Sequence, residues 1–145
     1  MDGVAKKKMK RSPLRKKAPK HSNSWYRKKM VELAKTEAKE RDNYTCRKCG
    51  RSKRNGYKID ASHIFPEGRY HGMSAMIENI DAMCSSCHMW WHESPAESGA
   101  WFKAKFPERY KKLKALSLKI IQNDWKKLYE TNKEEIRKLQ FIGKQ

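Results

Sequence analysis

Nowhere does the chain hold the run of about 18 apolar residues that a membrane-spanning helix requires. Its opening stretch, MDGVAKKKMKRSPLRKKAPK, also lacks the apolar centre of a secretory leader. The expected setting is therefore the cytoplasm, with no membrane partner. Apolar side chains are scarce: 37% of the 145 residues are hydrophobic and 35% are charged, so one domain with a small core is all the chain can build. Acid is scarcer still. Sixteen Asp and Glu stand against 35 Lys and Arg, a formal charge of +19, which creates a field that attracts polyanions. So charged a chain needs something besides burial to close its fold, such as a metal ion or a bound polyanion.

Four cysteines are the candidates for the first role. Disulfides are one reading of them, but Cys46/Cys49 and Cys84/Cys87 form two C-x-x-C pairs with nothing resembling a secretory signal ahead of them, and the reducing compartment expected here favours metal ligation. Residues 50–83 are long enough for a hairpin and a loop that return the chain to its start, where four thiolates close on one structural Zn²⁺. Such a site can contribute on the order of 10 kcal/mol to folding, enough to decide whether so small a core folds.

The order of elements follows from punctuation and periodicity. Residues 1–21 form a basic tail interrupted by Pro13 and Pro19, expected to be disordered until it meets phosphate. From Ser22 a helix is signalled over residues 22–43, with capping oxygens in SNS and Trp25, Tyr26, Met30, Leu33, Ala34 and Ala38 recurring at helical steps. Residues 44–94 change character. Asn55-Gly56 reads as a hairpin turn, and Tyr57, Ile59, Ala61, His63 and Phe65 alternate as in a strand. A short helix is expected from Cys84 to Glu93, stopped by Pro95. Residues 95–145 read as helices over 96–106, 107–121 and 124–140. Tyr110, Leu113, Leu116 and Ile120 share a face of the second, and Trp125, Leu128, Tyr129, Ile136 and Leu139 recur along the third. The fold class is α+β.

His88 and His92 are four apart, so on a helix both imidazoles project from one face and can share a second metal ion. Ahead of them stand Asn79 and, at the end of the expected strand, His63. A strand, loop and helix bearing His, Asn and His in this order resembles the HNH nucleases, whose fold is the ββα-metal or His-Me finger core, over about residues 44–94. The segments RDNYTCRKCG, IDASH and ENIDAMCSSCH are similar to zinc-stapled phage proteins of the NinG type. The resemblance implies a metal-dependent endonuclease that hydrolyses DNA phosphodiester bonds during phage recombination, processing or packaging. In it His63 is the general base, Asn79 holds the His63 loop or ring in place, and His88 and His92 bind Mg²⁺, Mn²⁺ or another divalent ion. The chemistry agrees, because phosphodiester hydrolysis needs a base for water, a cation for the transition-state charge and a group to orient the base.

One position departs from the family pattern. Many HNH enzymes carry a metal ligand directly before the base, where this chain has Ser62; the nearest carboxylate is Asp60, which enters the metal shell directly or through water, or points away. Each histidine also has a plainer explanation: His63 packing at a strand end, His88 replacing a cysteine on zinc, His92 exposed beside Trp90 and Trp91. Glu93 is a candidate to hydrogen-bond a ligating histidine, Glu67 has no matched role, and His71 reads as exposed. The competing reading is a non-catalytic zinc-ribbon protein that docks on DNA or RNA. A homodimer or a phage DNA-processing partner is compatible with either.

In both readings Lys6, Lys7, Lys8, Lys10, Arg11, Arg15, Lys16 and Lys17 contact phosphates without reading sequence. Deleting residues 1–21 should weaken DNA binding and flatten its salt dependence, by roughly 0.9 in log–log slope for each phosphate that is no longer neutralised. Binding isotherms across a salt series measure this, and an unchanged slope would assign the tail another role.

Overall fold

The computed structural model describes residues 20–142, so the tail cations named above lie outside it. Among the described residues the fold is mixed α+β, with five α-helices and one two-stranded sheet. No helix among them is long and apolar enough to cross a membrane.

Helix α1 (Asn23–Arg41) starts where Ser22 accepts a hydrogen bond from the Trp25 N–H and ends with Lys39 and Arg41 at its negative pole. Its apolar face buries Tyr26, Met30, Val31, Leu33, Ala34 and Ala38. Asn43 and Tyr44 then take positive φ angles of 52° and 49° and turn the chain into the first cysteine loop. That loop is closed by the Thr45–Ser52 bridge and by the Cys46 N–H on the Arg51 carbonyl at 2.7 Å. Gly50 stands in it at φ 78°, where a side chain would be strained.

The turn at Asn55-Gly56 does not make a hairpin. Lys53–Asn55 is a single 3-10 turn closed by Gly56, and strand β1 (Ile59–His63) pairs instead with the later β2 (Ile80–Cys84). The segment before the turn is wound into the cysteine loop, so its backbone groups are already used. The antiparallel register sets Ile59 opposite Cys84 and His63 opposite Ile80. Tyr57 and Phe65 fall outside the strand.

Helix α2 (Ser85–Glu93) follows β2 without a break, then α3 (Pro95–Lys105) and α4 (Pro107–Ser117), each with proline in its first turn. Met83, Trp91, Phe102 and Leu113 form the main core with Cys46, Cys84 and Cys87. Helix α4 stops short of the expected end at residue 121, leaving Leu118 and Ile120 exposed. The chain leaves the helix because Ile121 and Asn123 turn back onto Gly72. A Cβ at Gly72 would lie 2.5 Å from Ile121, and Asn123 Nδ2 donates to the Gly72 carbonyl at 2.9 Å. Helix α5 (Trp125–Ile142) lies on α1, where Trp125 and Ile136 join Tyr26, Met30 and Leu33 in a second cluster.

Two fully buried carboxylates lock α1, β2 and α4 together. Arg41 donates to Asp42 at 2.8 Å, to the Ile80 carbonyl at 2.7 Å and to Asp81 at 3.3 Å, while Arg109 of α4 reaches Asp81 at 2.6 Å. Asp42 also accepts the Ala82 N–H at 3.0 Å. Burial pushes the Asp42 carboxyl up, but these hydrogen bonds outweigh it and hold the group below its ordinary value.

Removing one member leaves the opposite charges uncompensated. Asp81→Ala should cost about 3 kcal/mol, the low end for a broken buried pair because the arginines reach solvent. A lower urea midpoint at unchanged m-value is the expected result.

Candidate functional site

The four cysteines meet. Cys46 and Cys49 come from the first loop, Cys84 ends β2 and Cys87 lies in the first turn of α2, with all four sulfurs within 4.8 Å of one another. None forms a disulfide. Cys49 Sγ and Cys84 Sγ are 3.6 Å apart, against the S···S separation of about 3.8 Å that four tetrahedral Zn–S bonds of about 2.3 Å impose. The donor set and spacing fit a metal such as zinc.

Electrostatics agree with the geometry. Burial opposes ionisation of Cys84, yet hydrogen bonds from Ser86, from the Cys87 backbone and from the neighbouring thiols bring it down to about 6. Burial and the other thiols push Cys87 and Cys49 up instead. One thiolate forms readily and further ones repel it, so a cation is what allows all four to ionise together.

The histidines lie on the other side of this joint. His63 ends β1 with its side chain 9% exposed, and its Nε2 is 2.8 Å from the Ser74 carbonyl. A carbonyl only accepts, so the neutral ring carries its proton on Nε2 and its lone pair on Nδ1. Burial lowers the His63 pKa, with Lys35 and Arg27 acting in the same direction against the Ser74 hydrogen bond and Glu67. The ring is therefore held neutral with one nitrogen free to take a proton.

Asn79 is completely buried and clamps the loop that follows His63. Its Oδ1 accepts the Phe65 N–H at 2.8 Å, and its Nδ2 donates to the Phe65 and Met73 carbonyls at 3.0 and 3.2 Å. The Asn79 carbonyl also accepts the Ile64 N–H at 2.8 Å. The indole of Trp91, between the two helix histidines, donates to the His63 carbonyl at 3.1 Å and docks α2 on the end of β1.

His88 and His92 face each other across one helical turn, with their Nε2 atoms 3.0 Å apart. On the far edge of the His88 ring, Nδ1 lies 3.7 Å from Asp60 Oδ2. Burial and the proximity of His92 depress the His88 pKa, opposed by Asp60. Among the described residues, the thiols are the one group of three or more His, Cys, Asp or Glu whose ligand atoms all lie within 4.8 Å of one another. Asp60 thus touches the histidine pair through one ring rather than closing a three-ligand cluster. Ser62 is buried with its hydroxyl unpartnered.

Several residues at the site carried no spacing signal. Ser74 and Trp91 act through a backbone carbonyl and an indole N–H, which leave no motif, and Arg27 and Lys35 are two of many α1 cations until Glu67 comes between them. Glu93 and His71 are exposed, and His21 stacks on Trp25 with ring centroids 3.7 Å apart. Comparison of the chain with protein-family models, with curated proteins and with solved structures gives no match.

The thiol cluster makes a direct prediction. The protein should hold one Zn²⁺ per chain, and Cys49→Ser or Cys84→Ser should lose the ion together with protease protection over residues 44–94. Elemental analysis of each purified variant measures the first effect. Folded protein free of metal would remove the assignment.

Proposed function

We propose that the protein is a metal-dependent endonuclease of the HNH type, acting on DNA phosphodiester bonds around His63. The observation that carries this reading is the facing pair of His88 and His92. Their Nε2 atoms stand 3.0 Å apart, within hydrogen-bond distance, so the two rings turn their nitrogens toward one point on the surface of α2 and would hold a divalent ion there in place of that contact. The order β1, β2, α2, with His63 at the end of the first strand, Asn79 just before the second and the histidine pair on the helix, supports a ββα-metal core. The four-thiol site joins the same elements and takes no part in the chemistry.

In this reading His63 Nδ1 takes the proton of the attacking water. Neutrality at physiological pH follows from burial, and orientation follows from the Ser74 carbonyl on the opposite nitrogen. Asn79 keeps the following loop from drifting, so the base stays aimed. His88 and His92 would hold a divalent ion, which would supply positive charge for the phosphorane-like transition state and the departing oxygen. Asp60 meets His88 at Nδ1, the nitrogen turned away from His92, and there it orients the ring rather than ligating the same ion. The charge of +19 and the basic tail bring the nucleic acid to the site.

A base and a ligand fail differently. His63→Ala should abolish nicking of plasmid DNA while leaving Mn²⁺ binding nearly intact. His88→Ala and His92→Ala should raise the Mn²⁺ concentration needed for nicking and be partly rescued by excess ion. Asp60→Asn should raise it by about tenfold, the lower end for a residue that orients a ligand. Nicking rates titrated against Mn²⁺, with zinc content checked, separate the classes. Wild-type cutting by His63→Ala would sink the assignment and leave a nucleic-acid-binding zinc protein.

A further inference from the structure

Helix α1 sends two cations to the edge of the His63 site. Arg27 Nη1 lies 3.3 Å from Glu67 Oε1, and Lys35 Nζ lies 3.8 Å from Glu67 Oε2. The same Oε2 is 3.9 Å from Nδ1 of His63, the ring nitrogen that carries the lone pair. One carboxylate thus spans two cations and faces the free nitrogen of the histidine. All three charged side chains remain partly open to solvent, at 22%, 39% and 35% exposure for Arg27, Lys35 and Glu67.

We infer that Arg27 and Lys35 form a binding site for one phosphate of a nucleic-acid strand, and that the Glu67 carboxylate occupies this site until the strand displaces it. Three features support this assignment. A phosphodiester presents two anionic oxygens, as a carboxylate does, and a guanidinium beside an ammonium is suited to receive either. Lys35 and His63 meet on the same Glu67 oxygen, at 3.8 and 3.9 Å, so a phosphate at Lys35 lies beside the candidate base. The loop bearing Glu67 is pinned by Asn79 at Phe65, which presents the carboxylate to the cations; among the described residues its one hydrogen bond is from Arg27.

Exchange of Glu67 for phosphate then has two effects. It removes a negative charge that competes with the incoming strand, and it uncovers Nδ1 of His63 when substrate arrives. Glu67 is a positioning and gating residue in this scheme. Arg27 and Lys35 are the binding residues. The scheme deepens the nuclease reading and rests on it for the part played by His63.

The test is the affinity of the full-length, zinc-loaded protein for a short DNA duplex with no added Mg²⁺ or Mn²⁺. Glu67→Gln should tighten binding by about fivefold, the range open to partly exposed ion pairs. Glu134→Gln, which removes the same charge from an exposed pair on α5, should change it far less. The double variant Arg27→Gln/Lys35→Gln should bind more weakly, lose about 0.9 of salt slope, the share of one phosphate, and abolish the gain from Glu67→Gln. An equal gain from Glu134→Gln, no gain from Glu67→Gln, or a gain that survives in the double-variant background would each overturn the proposal. Wild-type protein that shows the expected binding pattern but fails to nick DNA with Mn²⁺ would overturn the nuclease reading and leave the phosphate site standing.

Discussion

Four sulfurs drawn within 4.8 Å of one another constrain everything else in the molecule. Such a cluster is unstable as thiolates without a cation and brings little burial energy as thiols, and its donor set and spacing fit a metal such as zinc. Cys84 is at once the last residue of β2 and the N-cap of α2, and Cys87 is one turn further on. Fixing these two sulfurs against Cys46 and Cys49 fixes the angle at which α2 leaves the sheet. In the antiparallel register Ile59 sits opposite Cys84, beside the cluster, and His63 lies at the far end of β1 opposite Ile80.

Much of this arrangement was legible in the sequence, and what was not has a physical cause. Helix α1 could be read from its cap and its apolar spacing, and α2 from the uninterrupted run before Pro95. Strand β2 was not visible because all five of its residues are buried, which removes the alternation that marks a half-exposed strand. Asp81, its second residue, also argues against a core strand until Arg41 and Arg109 converge on it from α1 and α4. The hairpin expected at Asn55-Gly56 failed for a related reason, since the turn residues were right but the partner strand was already committed to the cysteine loop. At α4 periodicity ran past the true end because the contact that draws the chain away, Ile121 on Gly72, is non-local.

The spacing of His63, Asn79, His88 and His92 gave the candidates, while the distances divide them among parts. Asn79 spends its amide on the backbone at Phe65 and Met73, so it acts on the loop and not on the His63 ring. Asp60, which the sequence left open between ligand and bystander, lies at the outer nitrogen of His88. Ring edges and tautomers decide such questions, and a linear pattern holds no record of them.

The chain's cations also divide by what they face. Arg41 and Arg109 are held by buried carboxylates and backbone carbonyls, so their charge is consumed in joining α1, β2 and α4. Among the described residues, Arg27 and Lys35 are met by Glu67 alone, on a partly open surface beside His63. A carboxylate that faces water is exchanged for another anion at small cost, whereas one sealed from solvent is not. Along α1, Arg41 lies just under two turns from Lys35 and about four from Arg27, and what separates the cation that holds the fold from the pair proposed to hold a ligand is the exposure of the acid each one meets.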